Sequence, residues 1–168
     1  MYKKLLLILA ILTFLHTSLF AEEKKPQTST DEKPYVGIGL GIIDPTGFDT
    51  GYSLLLHAGK SLPKVAEHFG LEGAFSTTVI EPSIFNTDLS VTTLAAYATY
   101  KVNLTPEVDF KAKGGILYER LSSTITDDSF EVTYGLKVLY KLKSKKAIFL
   151  DYTIIEKDIA IFSVGLEF

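Results

Sequence analysis

The chain is predicted to be an all-β protein, an eight-stranded antiparallel transmembrane β-barrel of up-and-down order. Three observations predict it. From Tyr35 onward, apolar and other residues alternate with period two in about eight segments of about ten residues, the strand pattern and not the helical one. The N-terminus has the form of an export leader, and beyond it no stretch approaches the run of about 18 apolar residues that a membrane helix needs. Any insertion must therefore be as a closed barrel. The polar face is rich in small residues, among them Gly37, Gly39, Gly41, Ser53, Gly59, Gly70, Gly115, Gly135, Ser163 and Gly165, which suits the crowded interior of a narrow barrel.

The leader comprises Lys3 and Lys4, the apolar run Leu5 to Leu15 and a candidate cleavage position at Ala21, so residues 1–21 are expected to be a signal peptide. Its removal leaves 15 basic against 20 acidic side chains, a formal charge of −5. Residues 22–34, EEKKPQTSTDEKP, carry two prolines and no apolar anchor and read as a flexible periplasmic tether. The barrel is expected over 35–168. With no cysteine there is no disulfide framework, thiolate metal site or cysteine nucleophile, and a formal charge of −3 for the whole chain is too slight to point to nucleic acid.

The first strand is expected over Tyr35 to Ile43, with Val36, Ile38, Leu40 and Ile42 opposite the three glycines. The second, Thr50 to Lys60, sets Tyr52, Leu54, Leu56 and Ala58 against Ser53, Leu55, His57 and Gly59. In the third, about Glu67 to Thr77, Phe69, Leu71, Gly73 and Phe75 oppose His68, Gly70, Glu72 and Ala74. The fourth, Leu89 to Leu104, puts Leu94, Ala96, Ala98, Tyr100 and Val102 opposite Thr93, Ala95, Tyr97, Thr99 and Lys101. In the fifth, Val108 to Glu119, Phe110, Ala112 and Ile116 alternate with Asp109, Lys111, Lys113 and Glu119. The sixth, Phe130 to Leu142, alternates most cleanly, with Val132, Tyr134, Leu136 and Val138 against Glu131, Thr133, Gly135 and Lys137. In the seventh, Ile148, Leu150, Tyr152 and Ile154 oppose Phe149, Asp151, Thr153 and Ile155. The last, Ile159 to Phe168, carries Ala160, Phe162, Val164, Leu166 and Phe168 on one face.

With a periplasmic N-terminus, the external connections are Asp44 to Asp49, Val79 to Asp88, Arg120 to Ser129 and Glu156 to Asp158. The periplasmic ones are Ser61 to Ala66, Thr105-Pro106 and Lys143 to Lys146, mostly tight, which is the transmembrane-barrel arrangement. A soluble exported barrel binding an apolar ligand also alternates, with its apolar face inward. The small residues on the polar face decide against it, as do aromatics near strand ends, Tyr52, Tyr100, Tyr118, Tyr140, Tyr152 and Phe168, where an interfacial girdle would lie.

The final segment, with Phe162, Val164, Leu166 and Phe168 at every second position, resembles the C-terminal assembly signal of bacterial outer-membrane barrels. Together with the opening Tyr35-Val36-Gly37-Ile38-Gly39-Leu40-Gly41 and the turn Asn103-Leu104-Thr105-Pro106, it is similar to the small opacity-type, OmpA-like eight-stranded family of Gram-negative cell envelopes. The resemblance implies an outer-membrane location, contact with outer-membrane lipid and lipopolysaccharide, and engagement of the barrel-assembly machinery during biogenesis. It also implies a monomer.

The expected lumen collects His57, Glu72, Lys101, Asp109, Lys111, Lys113, Glu119, Glu131, Lys137, Lys141, Asp151 and Glu167, with His68, in nearly balanced signs. A narrow barrel has room for little else, so these side chains are expected to form a salt-bridged plug. A small or gated pore for ions and small solutes is the alternative. Small barrels that act as lipid hydrolases or acyltransferases use His with Ser and a carboxylate. Here no His-x-Ser pair exists, and His57 and His68 both fall toward the periplasmic half, so no catalytic or metal site and no cofactor is assigned. Gly37 to Gly41 lacks the spacing of a dinucleotide loop. The remaining function is structural, or surface interaction with an unidentified ligand through external loops, for which Ile84, Phe85, Asp127 and Asp128 are the candidate contacts.

Overall fold

The computed structural model describes residues 34–168 except 64, 86, 124–125, 144–145 and 157–158. The expected leader and all of the tether but Pro34 lie outside the described residues, as do parts of the Lys143 to Lys146 and Glu156 to Asp158 connections. Among the described residues there are ten strands: β1 (Tyr35–Pro45), β2 (Gly51–Ser61), β3 (Phe69–Ile80), β4 (Ser83–Ile84), β5 (Thr87–Asp88), β6 (Ser90–Asn103), β7 (Val108–Ser122), β8 (Thr126–Lys141), β9 (Ala147–Glu156) and β10 (Ile159–Glu167). Eight of them close into an antiparallel barrel in the order β1-β10-β9-β8-β7-β6-β3-β2. Each barrel strand pairs with its neighbours along the chain, and closure comes from β1 against β10. The seam ends in reciprocal bonds: Val36 N–H donates to the Phe168 carbonyl at 3.2 Å and Phe168 N–H to the Val36 carbonyl at 2.8 Å.

Period two decides the faces. On β1, Val36, Ile38, Leu40 and Ile42 are exposed on the outer wall while Gly37, Gly39 and Gly41 are buried inside. The same parity holds on every barrel strand, because register aligns like with like. Leu54, Leu40, Val164, Leu150, Val138 and Phe110 stand side by side across six strands and form a continuous outer band. Such a band exposed to water would be an aggregating surface; facing hydrocarbon it is the solvated surface of the protein. Aromatics border it. Phe69, Tyr100, Tyr140 and Phe168 lie toward the rim that carries both ends of the barrel chain, hereafter the terminal rim, and Phe69 meets Tyr100 edge-on at 5.4 Å between ring centres. Tyr52, Tyr118 and Phe130 lie toward the opposite, distal rim, while Tyr152 pairs with Leu136 further down the wall.

The turns follow from local chemistry. Between β1 and β2, Phe48 N–H donates to the Pro45 carbonyl at 3.1 Å with Gly47 at a φ of 90°, the conformation that the third position of a type II turn requires. Between β6 and β7, the Thr105 hydroxyl accepts from the N–H groups of Glu107 at 3.3 Å and Val108 at 3.1 Å, so one side chain fixes the hairpin.

Three features depart from the sequence expectation. The external loop expected over Arg120 to Ser129 is mostly strand, since β7 and β8 pair out to Ser122↔Thr126. The Val79 to Asp88 connection contains the small β4–β5 ladder, Ser83↔Asp88 and Ile84↔Thr87. The interior is also not purely polar: Ile43, Leu55, Val91, Leu117, Ile155 and Ile161 are buried inside and pack as one cluster in the distal part of the lumen. They sit at inward positions of their strands, and the tapering mouth of a small barrel is filled as readily by aliphatic as by polar side chains.

An arginine in the middle of the outer band has to leave lipid or distort it. Val164→Arg is expected to lower unfolding stability in lipid vesicles by about 2–4 kcal/mol, against about 0–1 for an arginine near a rim. Urea unfolding followed by the gel-mobility change between folded and boiled protein measures it, and equal losses at the two depths would contradict the lipid-facing placement.

Candidate functional site

The centre of the lumen, between the apolar cluster and the terminal rim, is a layer of ions. Glu72 on β3 is its hub. Lys137 on β8 donates to both carboxylate oxygens of Glu72, at 2.8 and 2.9 Å. Lys111 on β7 donates to Glu72 Oε2 at 3.3 Å and to the Tyr35 hydroxyl at 2.9 Å, and that hydroxyl in turn donates to the same Glu72 oxygen at 2.9 Å. A second centre lies on β9, where Lys113 donates to the two oxygens of Asp151 at 2.9 and 2.7 Å and Thr153 adds a bond of 2.6 Å. Lys137 lies 3.7 Å from Asp151 and so joins the two centres. Glu167 on β10 completes the layer, 3.1 Å from His57 Nε2 on β2 and 3.8 Å from Lys111. Three lysines thus face three carboxylates.

Rings cover the ammonium groups. Lys111 stands 4.1 Å from the centre of the Tyr35 ring, Lys113 4.7 Å from Tyr97 on β6, and Lys137 5.3 Å from Phe149. Through Tyr97 the layer takes side chains from all eight barrel strands. The small residues of the inner wall now have a purpose. The His57 imidazole occupies the space that a side chain at Gly37 would fill, and a Cβ at Gly39 would fall 2.7 Å from the edge of the Phe149 ring. These two glycines let bulky rings approach the β1 backbone closely.

Ionic groups withdrawn from water lose several kcal/mol of hydration each, and only near-complete pairing and hydrogen bonding offsets that loss. The layer pairs its three ammonium groups with its three carboxylates and leaves His57 Nδ1 buried without a partner among the described residues. It leaves little free space either: between it and the apolar cluster lies a void of about 20 Å³, room for one water molecule. His57, Glu72 and Glu167 bring ligand-type atoms within 4.8 Å of one another, but the cations already among them are the ammonium groups of Lys111 and Lys137. The arrangement is an ion network in which Lys111 bridges Glu72 and Glu167 and Lys137 bridges Glu72 and Asp151.

The structure places the sequence-derived lumen residues unevenly. His57, Glu72, Asp109, Lys111, Lys113, Glu119, Lys137 and Asp151 are buried inside. Glu167, Lys101 and Glu131 are half-buried, and Lys141 is exposed at the terminal rim, where it pairs with Asp109 at 2.7 Å. His68 is far from His57 in role: it packs edge-on against Tyr100 at the terminal mouth. Tyr35, Tyr97, Thr133 and Phe149 belong to the layer without having been singled out from sequence, although their inward parity marks them. The terminal-strand residues Phe162, Val164, Leu166 and Phe168 all face outward. Of the loop candidates, Ile84 is half-buried in β4, whereas Phe85 is 95% exposed at a φ of 46°. Asp127 and Asp128 are exposed but lie in β8 and not in a loop.

A closed barrel of eight antiparallel strands, with lipid outside and an ion-paired interior, defines an outer-membrane protein. The chain belongs to the outer membrane protein beta-barrel domain family, whose model matches residues 7–166. Similar solved structures include Ail, the attachment invasion locus protein of Yersinia pestis, at 13% identity and a TM-score of 0.58, covering 83% of this chain and 100% of that one. Neisserial surface protein A is similar at 18% identity and a TM-score of 0.57, covering 80% of this chain and 95% of that one. The N-terminal β-barrel domain of OprF from Pseudomonas aeruginosa is similar at 12% identity and a TM-score of 0.52, with 80% and 96% covered. At these identities the likeness is one of fold. A search of curated protein sequences finds no match to the chain.

Removing one member of the layer leaves the others short of charge compensation. Lys137→Met is expected to cost about 3–5 kcal/mol of unfolding stability, because Glu72 and Asp151 lose their common cation. The double variant Lys137→Met/Glu72→Gln is expected to recover a substantial part of that loss. Vesicle unfolding of the two singles and the double measures the coupling, and additive losses would show that the pair does not act as a unit.

Proposed function

We propose that this chain is a sealed, monomeric, non-enzymatic outer-membrane barrel, exported behind a cleaved leader, that works as a surface-interaction protein through its distal rim. The carrying observation is the lumen. Its ion layer and its apolar cluster lie in series, so a solute would have to displace Lys137 and its partners and then pass Ile43, Leu117 and Ile155, all fully buried. Catalysis finds little support in the same region, since His57 is hydrogen-bonded to Glu167 and packed against Phe149 with no nucleophile among its partners in the described residues. Contact with outer-membrane lipid and lipopolysaccharide follows from the outer band, and the outward row of Phe162, Val164, Leu166 and Phe168 is what the barrel-assembly machinery would read.

The distal rim offers material for recognition. β8 pairs with β7 along its whole length, but its pairing with β9 begins at Tyr134↔Ile154. Residues Thr126 to Thr133 therefore project past the end of that ladder, carrying Phe130 and Val132 at 78% and 77% exposure. Arg120 stiffens the projection by donating to Asp128 through Nε at 2.8 Å and through Nη2 at 3.2 Å. Those bonds hold the Asp128 carboxyl below the usual carboxylate range, so the pair is present at neutral pH and is lost only as pH falls through that depressed value. Phe85 adds a second exposed aromatic from the β4–β5 turn.

Planar-bilayer recording of the purified chain tests the seal: no steady conductance is expected, and a substantial ohmic current would favour the small-pore alternative. For the rim, cells displaying the wild type are expected to adhere to host-cell or matrix-coated surfaces more than cells displaying Phe85→Ser/Phe130→Ser at matched outer-membrane levels, by about two- to tenfold. Equal adhesion would remove the distal rim as the binding surface.

A further inference from the structure

The terminal rim is not flush. It opens into a cavity of about 580 Å³, within the range of small-molecule sites, walled partly by Tyr35, Leu139 and Phe168. Five lysines line it, Lys101, Lys111, Lys141, Lys143 and Lys146, against two carboxylates, Asp109 and Glu167. Both carboxylates are engaged: Asp109 by Lys141 at 2.7 Å, Glu167 by His57 at 3.1 Å and Lys111 at 3.8 Å. At the outer lip, Lys143 and Lys146 have no carboxylate partner among the described residues, and the Lys146 ammonium stands 4.8 Å from the centre of the Phe168 ring. A cavity with walls of low dielectric and an excess of one sign focuses field and raises the local concentration of the opposite ion.

We propose that this mouth is a binding site for a small polyanion, a compact molecule bearing two or more carboxylate or phosphate groups. The charge pattern carries the assignment. The deep cations are matched by the protein's own acids and hold the floor in place, while Lys143 and Lys146 rise from the β8–β9 connection at the lip. A single carboxylate would meet one of these groups; two or three anionic groups on a short skeleton would meet them together, with the apolar wall beneath. The site is independent of the distal rim, so it can fail or hold whatever the outcome there.

The test uses the full chain folded in nanodiscs of zwitterionic lipid, titrated with citrate and with inorganic tripolyphosphate by calorimetry and by amide chemical shifts. Binding is expected with a Kd of about a millimolar or tighter at low salt, weakening about tenfold or more when salt rises from about 0.05 to 0.5 M. Shifts are expected around the β8–β9 connection. Lys143→Gln/Lys146→Gln is expected to lose about tenfold in affinity or more, and Lys60→Gln, an exposed lysine outside the cavity, to lose none. Boiling-dependent gel mobility verifies that each variant is folded. Absence of binding by both probes, or an equal loss from Lys60→Gln, overturns the proposal. So does a response seen only when the discs contain phosphatidylglycerol and not displaced by either soluble probe, which would make the mouth a contact for lipid headgroups.

Discussion

The pairing of Glu72 with Lys137 and Lys111 is the constraint on which the rest of the barrel rests. In a water-soluble protein the apolar side chains would supply the core, but here they face lipid and give no drive to close around one another. Cohesion across the lumen must come from the side chains inside it, and those that bridge the widest span are charged. Once Glu72 is placed there, its neighbours are determined: a cation on β8, another on β7, a hydroxyl from Tyr35 on β1. Asp151 and Glu167 then balance the remaining ammonium groups, and glycines on β1 make room for the rings that shield them. Strand pairing gives the barrel its wall, and strand number and stagger its diameter; this layer ties each strand to those across from it.

Much of this was legible in the sequence because lipid and lumen impose opposite demands on alternate residues. The clean alternation of Phe130 to Leu142 identified a barrel strand and its inward face without any knowledge of its partners. What failed to show is equally physical. Thr126, Asp127, Asp128 and Ser129 are polar on both faces, since beyond the membrane neither face meets lipid; only the ladder to β7 makes them strand. Parity places Leu55 and Ile155 inward, but it does not say that such side chains gather into one apolar cluster beside the ionic part of the lumen. The partners within the ion layer were hidden for a third reason. Glu72 and Lys137 are 65 residues apart and meet only through strand tilt and barrel closure, which local pattern does not encode.

The two rims divide the molecule by chemistry. Toward the distal rim the interior mixes an aliphatic cluster with buried Glu119 and hydroxyl side chains and the surface is aromatic and acidic, with a projecting hairpin held by Arg120 and Asp128. Toward the terminal rim the interior is ionic and the mouth basic. The ion layer lies between them. A protein built this way presents different surfaces to the two sides of a membrane, which is why the proposed roles of the two rims are separable.

The β1–β10 seam has a consequence for timing. Every other barrel strand can find its partner in chain order, but β1 keeps an unsatisfied edge until β10 is present, and the reciprocal bonds between Val36 and Phe168 cannot form before then. An export route that delivers the chain N-terminus first therefore delivers a sheet that cannot be sealed, and whose open edge is a hazard for pairing with other chains, for as long as the final strand is outstanding. For this fold, the need to keep that edge covered until β10 arrives comes from topology rather than from marginal stability.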